Sequence, residues 1–440
     1  MLSKITDTLS RSLDRLVQRY VPDPFVIALL LTFFVLLAGW VFTPTSWDQV
    51  VLSWGDGFWS LLTFTLQMVM VLVGGFVVAD SAPVSGFLKK ISQLPRTAAQ
   101  AILLVTLASC LASWINWGLG LVVGALLAVE VAKAQPRVSF RALVASAYGG
   151  FIVWHGGFSA SIPLVVNTPG NFSEKWIGGV ISTSETIFSS LNLVALLATV
   201  LVLVGLNLKL GLSYARESQA LDFEDDSQVS FSHPSTPAEK LDSSRFMILG
   251  IFLIGLTYFF LLVRGGSFQL NLNTVNFIFI LLGLILHKTP RAYLHSLGRG
   301  ASKVGPLLIQ YPIYAGIMGV MVHSGLAEGI SNFFIQLSSA ESLALWTFYS
   351  AGLVNLLIPS GGGQWAIQAP IVIPAALELG ADLPKVIMAV AWGDAWTNLA
   401  QPFWALPLLS IAGLKIRDIL AHCLILLVGT GIVLSLVFYI

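Results

Sequence analysis

The sequence predicts an all-α polytopic membrane protein made of two inverted repeats, each with a re-entrant helical hairpin and a broken transmembrane helix. The chain of 440 residues is 56% hydrophobic and only 10% charged, with a mean hydropathy of +0.84, whereas about 25% of the residues in soluble domains are charged. Apolar runs long enough to cross a bilayer recur along its whole length. Two apolar regions are interrupted by glycine-rich segments, a pattern typical of transporters with discontinuous helices.

Residues 1–20 mix charged and apolar side chains and are predicted to form an amphipathic helix on the membrane surface. The apolar run after it lacks a small-residue cleavage site, which favours a retained first span over a cleaved signal peptide. The predicted spans are 25–42, 57–79, 186–208, 245–263, 271–287, 302–323 and 417–440. The long polar segment 209–244 is predicted to be a cytoplasmic linker. The chain then divides into a first repeat at 24–208, a connecting helix at 245–263 and a second repeat at 271–440.

Basic residues orient the spans, because loops rich in Lys and Arg stay in the cytoplasm. The basic clusters lie at 4–19, 89–96, 133–141, 288–303 and 415–417. Residues 97–133 must therefore enter the membrane from the cytoplasm and return to it, as a hairpin with the tip NWGLG at 116–120. By the same argument 341–378 enters from the outside, with the tip PSGGG at 359–363. The N-terminus is predicted to be cytoplasmic and the C-terminus periplasmic.

Matching residues of the two halves lie at a nearly constant separation. Three pairs are 243 residues apart and one is 244 apart: Gln67 with Gln310, Ser81 with Ser324, Ile115 with Ile358, and Pro163 with Pro407. With one connecting helix between them, the halves enter the membrane in opposite orientations, which is the inverted-repeat architecture of many secondary transporters. The alternative is a helical membrane protein without a repeat, in which the glycines have no common role.

Backbone without helical partners costs several kcal/mol in lipid, so glycine-rich tips at membrane depth indicate a ligand or a cavity. A backbone without side chains lets a ligand approach closely, and the N–H groups at a helix start favour an anion. The broken spans at 158–170 and 391–407 add hydroxyls, amides and indoles. The predicted substrate-binding residues are Asn116, Trp117, Gly118, Ser159, Ser161, Asn167, Thr168, Ser360, Gly361, Gly362, Gly363, Gln364, Trp365, Trp396, Asn398 and Gln401. For any one of them alone, helix packing is the simpler explanation.

Two ionisable residues are predicted to take part in ion coupling: Asp394 lies in the second broken span, and His155 lies just before the first. Asp394 could bind a coupling cation, take up a proton or pair with His155, and His155 could relay a proton or be structural. No cofactor and no metal site are expected; the possible coupling ions are H+ and Na+. The pocket lacks a dense cluster of Arg or Lys, which favours a substrate with one carboxylate and a short apolar tail over a dicarboxylate or a phosphate.

Several segments resemble the bacterial short-chain fatty acid transporter family, and the similarity runs over essentially the whole chain. They are VPDP (21–24), WGDGFW (54–59), SAPV (81–84), INWGLGLVVGA (115–125), LNTVN (272–276), LHKTP (286–290), PSGGGQWAIQAP (359–370) and AQPFWALP (400–407). The resemblance implies a secondary transporter of acetate, acetoacetate or butyrate in the bacterial inner membrane, coupled to protons or sodium. The family is grouped with the ion transporter superfamily, whose dicarboxylate members typically carry Ser-Asn-Thr at each hairpin tip, where this chain has NWG and SGG.

Two other classes of function compete with this interpretation. A passive anion channel would use the same polar pocket without coupling, and a membrane enzyme would act on acyl substrates. The enzyme is disfavoured because no Ser–His–Asp or HExxH arrangement is evident, and no GxxxxGK[ST] loop indicates the use of ATP. The expected partners are a small monocarboxylate and the lipid bilayer, in a monomer or homodimer. A net charge of +1 argues against nucleic acid.

Overall fold

The computed structural model describes residues 19–20, 22–171, 173–214, 236–268, 272–302 and 304–439. Helices and turns make up these residues, without any strand. The helix predicted at 1–20 lies almost wholly outside them, as does most of the predicted linker, at 215–235.

The helices follow one another in the same order in both halves. The first half contains α1 (Pro24–Phe42), α2 (Trp47–Phe58), α3 (Leu62–Asp80), α4 (Ala82–Ser92), α5 (Ala98–Ile115), α6 (Trp117–Ala134), α7 (Phe140–Phe151), a 3-10 segment (Ile152–Gly156), α8 (Ser161–Asn167), α9 (Glu174–Ile177) and α10 (Ser190–Tyr214). The link contains α11 (Pro237–Asp242) and α12 (Arg245–Arg264). The second half contains α13 (Leu272–His287), α14 (Pro290–Ala301), α15 (Gly305–His323), α16 (Leu326–Gln336), α17 (Leu343–Asn355), α18 (Gly361–Leu379), α19 (Leu383–Thr397), α20 (Ala405–Ala412) and α21 (Ile416–Tyr439).

The order of elements supports the predicted register of the halves. Helices α2 and α14, α3 and α15, and α7 and α19 each begin 243 residues apart, and α6 and α18 begin 244 apart. The all-helical membrane fold with broken spans is confirmed. Whether the hairpins are re-entrant and the repeats inverted in a bilayer stays a prediction.

Seven helices or continuous helical stretches in the described part are long and apolar enough to cross a membrane. Two further pairs bend sharply, α3 with α4 by 79° and α15 with α16 by 66°, and would raise the number to nine if each pair formed one span. The bends occur at equivalent places in the two halves, so each half contains one sharply bent helix pair at the same position.

Two span boundaries differ from the sequence-based expectation. The second span begins at Leu62 rather than at residue 57, because residues 57 and 58 end α2, a separate amphipathic helix that Ser46 starts with a capping box to Gln49. The span predicted at 186–208 runs as α10 from Ser190 to Tyr214, into the predicted linker. It continues because Gly211 packs closely against Ile102 of α5.

The halves are joined by exchanged packing. Helix α15 of the second half packs against α1 and α2 of the first, while α3 of the first half packs against α13 and α14 of the second. Glycines permit the closest of these crossings: a Cβ on Gly57 of α2 would lie only 2.7 Å from the Cα of Gly319 on α15. Helices α1–α4 and α13–α16 therefore form one interlocked frame.

A second group of helices surrounds the two broken spans. The hairpin α5–α6 packs against α7, and α17 packs against α19. The second arm of each hairpin also contacts the broken span of the other half, α6 with α20 and α18 with α8. Helix α19 in addition packs against the 3-10 segment of the first half. Both breaks and both hairpin tips therefore meet in one region.

Candidate functional site

The break in the first span is fixed by its contact with the first hairpin. At Gly157 a Cβ would collide with the carbonyl oxygen of Trp114, and the N–H of Phe158 donates to that oxygen at 2.8 Å. The helix therefore opens where the hairpin approaches, and the 3-10 segment before it carries His155 into the protein interior.

His155 and Asp394 form a pair across the two halves. The imidazole Nδ1 lies 2.8 Å from Asp394 Oδ2, and both side chains are fully buried. On the other side of the ring, Nε2 accepts the N–H of Ile162 at 3.3 Å and lies 3.0 Å from Ser161 Oγ. Ser161, His155 and Asp394 thus form a Ser–His–Asp arrangement that was not evident from the sequence, because the three residues come from different helical segments. Because Nε2 acts as an acceptor, the hydrogen bonds assign the proton of the neutral ring to Nδ1, which donates it to the carboxylate.

Asp394 has one oxygen in use and one free. Oδ1 is buried and makes no hydrogen bond within the part of the chain that the structure describes. Trp154 stacks on the imidazole, with ring centroids 3.9 Å apart. A buried carboxylate oxygen without a donor is costly, so this position is suited to a proton or a bound donor.

The second hairpin tip is open. Ser360 caps α18 by accepting the N–H of Gly363 at 3.3 Å, and the N–H groups of Gly361 and Gly362 have no intrahelical acceptor. Gly361 lies against the pair: a Cβ there would collide with Ser161 Oγ and lie 2.7 Å from His155 Cε1. At Gly362, by contrast, a Cβ would meet nothing within 4 Å. Free space therefore adjoins Gly362 in the first turn of α18, one residue from the glycine that packs against the imidazole.

The first hairpin tip is closed. Asn116 caps α6 by accepting the N–H of Leu119 at 3.1 Å, and the N–H of Trp117 donates to Ser159 Oγ at 2.9 Å. A Cβ on Gly118 would touch Val71 of α3 at 3.4 Å. The two predicted tips thus differ, because only the second presents free donors beside open space.

An amide cluster occupies the break in the second span. Asn398 Oδ1 accepts from Asn355 Nδ2 and from Gln401 Nε2, each at 3.0 Å. Asn355 also donates to Thr397 Oγ1 at 2.9 Å, and the carbonyl of Asn398 accepts the Tyr148 hydroxyl at 2.6 Å. Asn355 Oδ1, Asn398 Nδ2 and Gln401 Oε1 have no partner among the described residues. The cluster therefore contains both an unpaired hydrogen-bond donor and unpaired acceptors.

Aromatic rings connect the first tip to the imidazole. Trp404 packs edge-on against Trp117 at 5.0 Å and lies 6.1 Å from Trp154, which stacks on His155. Both Trp154 and Trp404 are buried. Trp404 lies in the broken span 391–407, whose indoles were expected in the pocket, whereas Trp154 was not predicted. Together they provide an apolar wall.

Three predicted residues lie away from these groups. Trp396 donates to the carbonyl of Leu427 at 2.7 Å and stacks on Phe348, so it packs between α17 and α21. Thr168 is exposed at the end of α8 and bonds to the carbonyl of Leu164. Asn167 is half-buried at the same end. The structure does not bring any of the three to the imidazole or to the amide cluster.

Gln364 and Trp365 belong to α18 but anchor it instead of facing the open space. Gln364 Nε2 donates to the carbonyl of Ala351 at 2.9 Å, and Trp365 is fully buried with its Nε1 3.3 Å from Ser173 Oγ. These contacts hold the glycine-rich start of α18 in place.

Asn192 and Trp392 support the first break; Trp392 is one of the indoles expected from the broken span 391–407, whereas Asn192 was not predicted. Trp392 Nε1 donates to Asn192 Oδ1 at 2.8 Å, while Asn192 Nδ2 donates to the carbonyl of Gly156 at 3.0 Å. The signal that could have found Asn192 is its place as an amide within the apolar run of α10. Among the residues described, no three or more His, Cys, Asp or Glu side chains are grouped as a metal site.

The family model and two similar proteins agree on one family. Residues 4–440 match the family described as "Short chain fatty acid transporter". Two similar proteins share the name "Putative short-chain fatty acid transporter": that of Escherichia coli is 42% identical over 430 residues, covering 97% of each chain, and that of Haemophilus influenzae is 40% identical over 441 residues, covering 98% of each. Among solved structures, the Alcanivorax borkumensis YdaH transporter is 17% identical with a TM-score of 0.42, covering 94% of this chain and 98% of its own.

Proposed function

The chain belongs to the short-chain fatty acid transporter family, and on that premise we propose that it is a secondary transporter of short-chain monocarboxylates across the bacterial inner membrane. Acetate, acetoacetate and butyrate are the proposed substrates. Their transport is coupled to a gradient of protons or sodium ions, and no catalytic step is involved.

The open start of α18 carries this proposal. The N–H groups of Gly361 and Gly362 have no acceptor within the helix; Gly362 adjoins unfilled space, and Gly361 packs against His155 of the buried His155–Asp394 pair. A helix N-terminus stabilises a negative charge, so the substrate carboxylate is placed there. The apolar tail extends toward the indoles of Trp154 and Trp404, where it is removed from water.

The charge of the site supports a substrate with one carboxylate. Within the described residues no Lys or Arg side chain is buried. One helix terminus supplies roughly half a positive charge, which suits a single carboxylate. A dicarboxylate or a phosphate needs paired basic side chains for its second charge.

Alternating access is proposed to use the two groups of helices differently. The frame of α1–α4 and α13–α16 stays in place, and the group around the two breaks moves with the substrate held near the midplane. The exchanged packing of α2 against α15 supports a rigid frame, because close glycine contacts leave little freedom for sliding. The N-terminus is placed in the cytoplasm and the C-terminus in the periplasm.

The experiment must separate carrier exchange from unaided permeation, because the neutral form of a short-chain acid crosses bilayers by itself. Proteoliposomes are loaded with unlabelled butyrate, with equal pH and salt on both sides, and a trace of labelled butyrate is added outside. A carrier produces a transient accumulation of label above its equilibrium level, since outward transport of unlabelled substrate drives exchange. Protein-free liposomes only equilibrate. Unlabelled acetate and acetoacetate should reduce the overshoot, whereas succinate should not.

Two results would contradict the proposal. Equilibration at the rate of protein-free liposomes would mean that butyrate is not transported. Faster equilibration without an overshoot would favour the passive anion channel.

A further inference from the structure

We infer that the coupling ion is a proton bound at His155, and that the protonated imidazole is the positive charge met by the substrate carboxylate at the open tip. Transport is then electroneutral. This inference rests on the proposed function and adds to it the identity of the ion, its carrier and the charge balance of the cycle.

The first step is the balance of buried charge. In the described part of the chain, the buried ionisable acids and bases of the membrane interior other than thiols and phenols are Asp394, His155 and His422. With a neutral imidazole on His155 and an ionised carboxyl on Asp394, the pair has one negative charge. A substrate carboxylate beside it would add a second negative charge in a medium of low dielectric constant, where like charges repel strongly. Binding therefore requires a positive charge to arrive with the substrate.

The second step is the geometry of the imidazole. Nδ1 is committed to Asp394, so a proton added to the imidazole goes to Nε2. That nitrogen faces the tip, because the position of a Cβ on Gly361 lies 3.1 Å from it. Protonation changes Nε2 from an acceptor into a donor and so ends its hydrogen bond from the N–H of Ile162. The Ser161 hydroxyl oxygen, 3.0 Å away, can accept the new N–H. A carboxylate at the tip then balances the positive charge of the ring, while Asp394 stabilises the imidazolium from the other side.

The third step concerns the other groups around the imidazole. The side chains that α8 and α10 bring to the 3-10 segment, Ser161 and Asn192, do not titrate in the accessible pH range. The helices packed against the 3-10 segment carry other titratable or charged groups, but these lie away from His155. Cys110 lies beside Gly150, and the Tyr148 hydroxyl donates to the carbonyl of Asn398. The side chains outside the buried interior are Arg141, Lys209 and Lys385. Among the described residues, Asp394 is the one acidic side chain within hydrogen-bond distance of His155.

The same geometry disfavours sodium at this pair. Hard metal cations are typically held by about six or more oxygen atoms. Of the two Asp394 oxygens, Oδ2 is engaged by the imidazole and Oδ1 alone is unpartnered. A proton needs a single lone pair, which Nε2 provides.

The charge balance follows from these steps. The empty site has one negative charge, from Asp394. The loaded site has two carboxylates and one imidazolium, which again sum to one negative charge. The carrier therefore has the same charge on its outward and return movements, and each cycle transfers one carboxylate with one proton.

Proton uptake on binding tests the inference directly. The purified full chain in detergent, weakly buffered above the ordinary titration range of histidine, is titrated with potassium butyrate in sodium-free solution. Tryptophan fluorescence reports binding and a pH indicator reports protons. We expect about one proton taken up per butyrate bound. His155→Gln should abolish the proton uptake, whereas His422→Gln, a change at another buried histidine, should retain it.

A second measurement does not depend on any variant. On a solid-supported membrane that carries wild-type proteoliposomes, a butyrate concentration jump should produce no transient current beyond that of protein-free liposomes. The inference is overturned if wild-type protein binds butyrate without taking up protons, if binding requires sodium, or if a transport current above this control appears. A positive counterflow overshoot together with any of these results leaves the proposed function intact, whereas the absence of both binding and overshoot contradicts the proposed function itself.

Discussion

Gly361 lies directly against the imidazole of His155, with no room for a side chain between the start of α18 and the ring. A Cβ on Gly361 would lie 2.7 Å from His155 Cε1 and would also collide with Ser161 Oγ. The contact joins the second hairpin tip to the break in the first half, so a change at either one alters the other.

The first prediction compares a glycine of the site with one outside it. Overpacking a tight site costs about 1–3 kcal/mol, so we expect Gly361→Ala to lower butyrate counterflow by about ten- to hundredfold. Gly205→Ala, on α10 and away from the site, is the control, since its Cβ would meet nothing within 4 Å and the variant should stay within about twofold of wild type. Equal activity of the two variants would contradict the tight contact.

The second prediction separates exchange from coupling. Asp394→Asn keeps an acceptor for His155 Nδ1 but removes the charge that stabilises an imidazolium. We expect counterflow to persist at a reduced rate, while proton uptake on butyrate binding falls to near zero. Asp242→Asn, at an exposed carboxylate, is the control and should behave as wild type. Unchanged proton uptake in Asp394→Asn would show that the carboxylate is only structural.

The third prediction concerns the support of the first break. Trp392→Phe removes the donor to Asn192 Oδ1 and leaves a buried amide oxygen unpaired. Such a loss costs about 1–3 kcal/mol, so the midpoint of thermal unfolding in detergent should fall by several degrees. Trp40→Phe, at a side chain that is 52% exposed, should leave the midpoint unchanged. A similar fall in both variants would mean that the loss is not specific to the hydrogen bond.

The fourth prediction tests the frame. Gly57→Val would force α2 away from α15, because even a Cβ there would lie 2.7 Å from the Cα of Gly319. We expect the variant to elute as aggregate in fluorescence-detected size-exclusion chromatography. Gly55→Val lies two residues away, where a Cβ meets nothing within 4 Å, and should elute as wild type. A monodisperse Gly57→Val protein would contradict the close crossing.

The fifth prediction tests the orientation in the membrane. The two natural cysteines are buried and should give little background labelling. A cysteine at the exposed position Glu341 should react with a membrane-impermeant maleimide in cells whose outer membrane has been permeabilised. A cysteine at the exposed position Asp242 should react only after the inner membrane is opened as well. Labelling of both under the first condition would contradict the opposite orientation of the halves.

The sequence predicted the hairpin tips and the breaks, because glycine, proline and amides within apolar runs are strong local signals. Asn116 and Ser360 begin the second arms of the hairpins as helix caps, at the places where the tips were predicted. The family predicted from the motifs is confirmed by the match over residues 4–440.

Direction around a helix and contacts between distant segments could not be predicted in this way. Trp396 follows Asp394 by two residues, which places it about 200° around α19, on the side away from His155. Asn355 joins the amide cluster only because α17 packs along α19, a contact that no local pattern encodes. The amphipathic helices α2, α4, α14 and α16 were missed because their mixed composition does not resemble a span.

The exchanged packing of the frame has a consequence for how the chain is made. Helices α1 and α2 leave the ribosome early, yet the surface that α15 offers them is synthesised only after the whole first half and α12. Until then their apolar faces can contact only lipid or the insertion machinery. Assembly of the molecule must therefore wait for late translation, and a nascent chain released between α12 and α15 would be left as an unfinished bundle for proteases to remove.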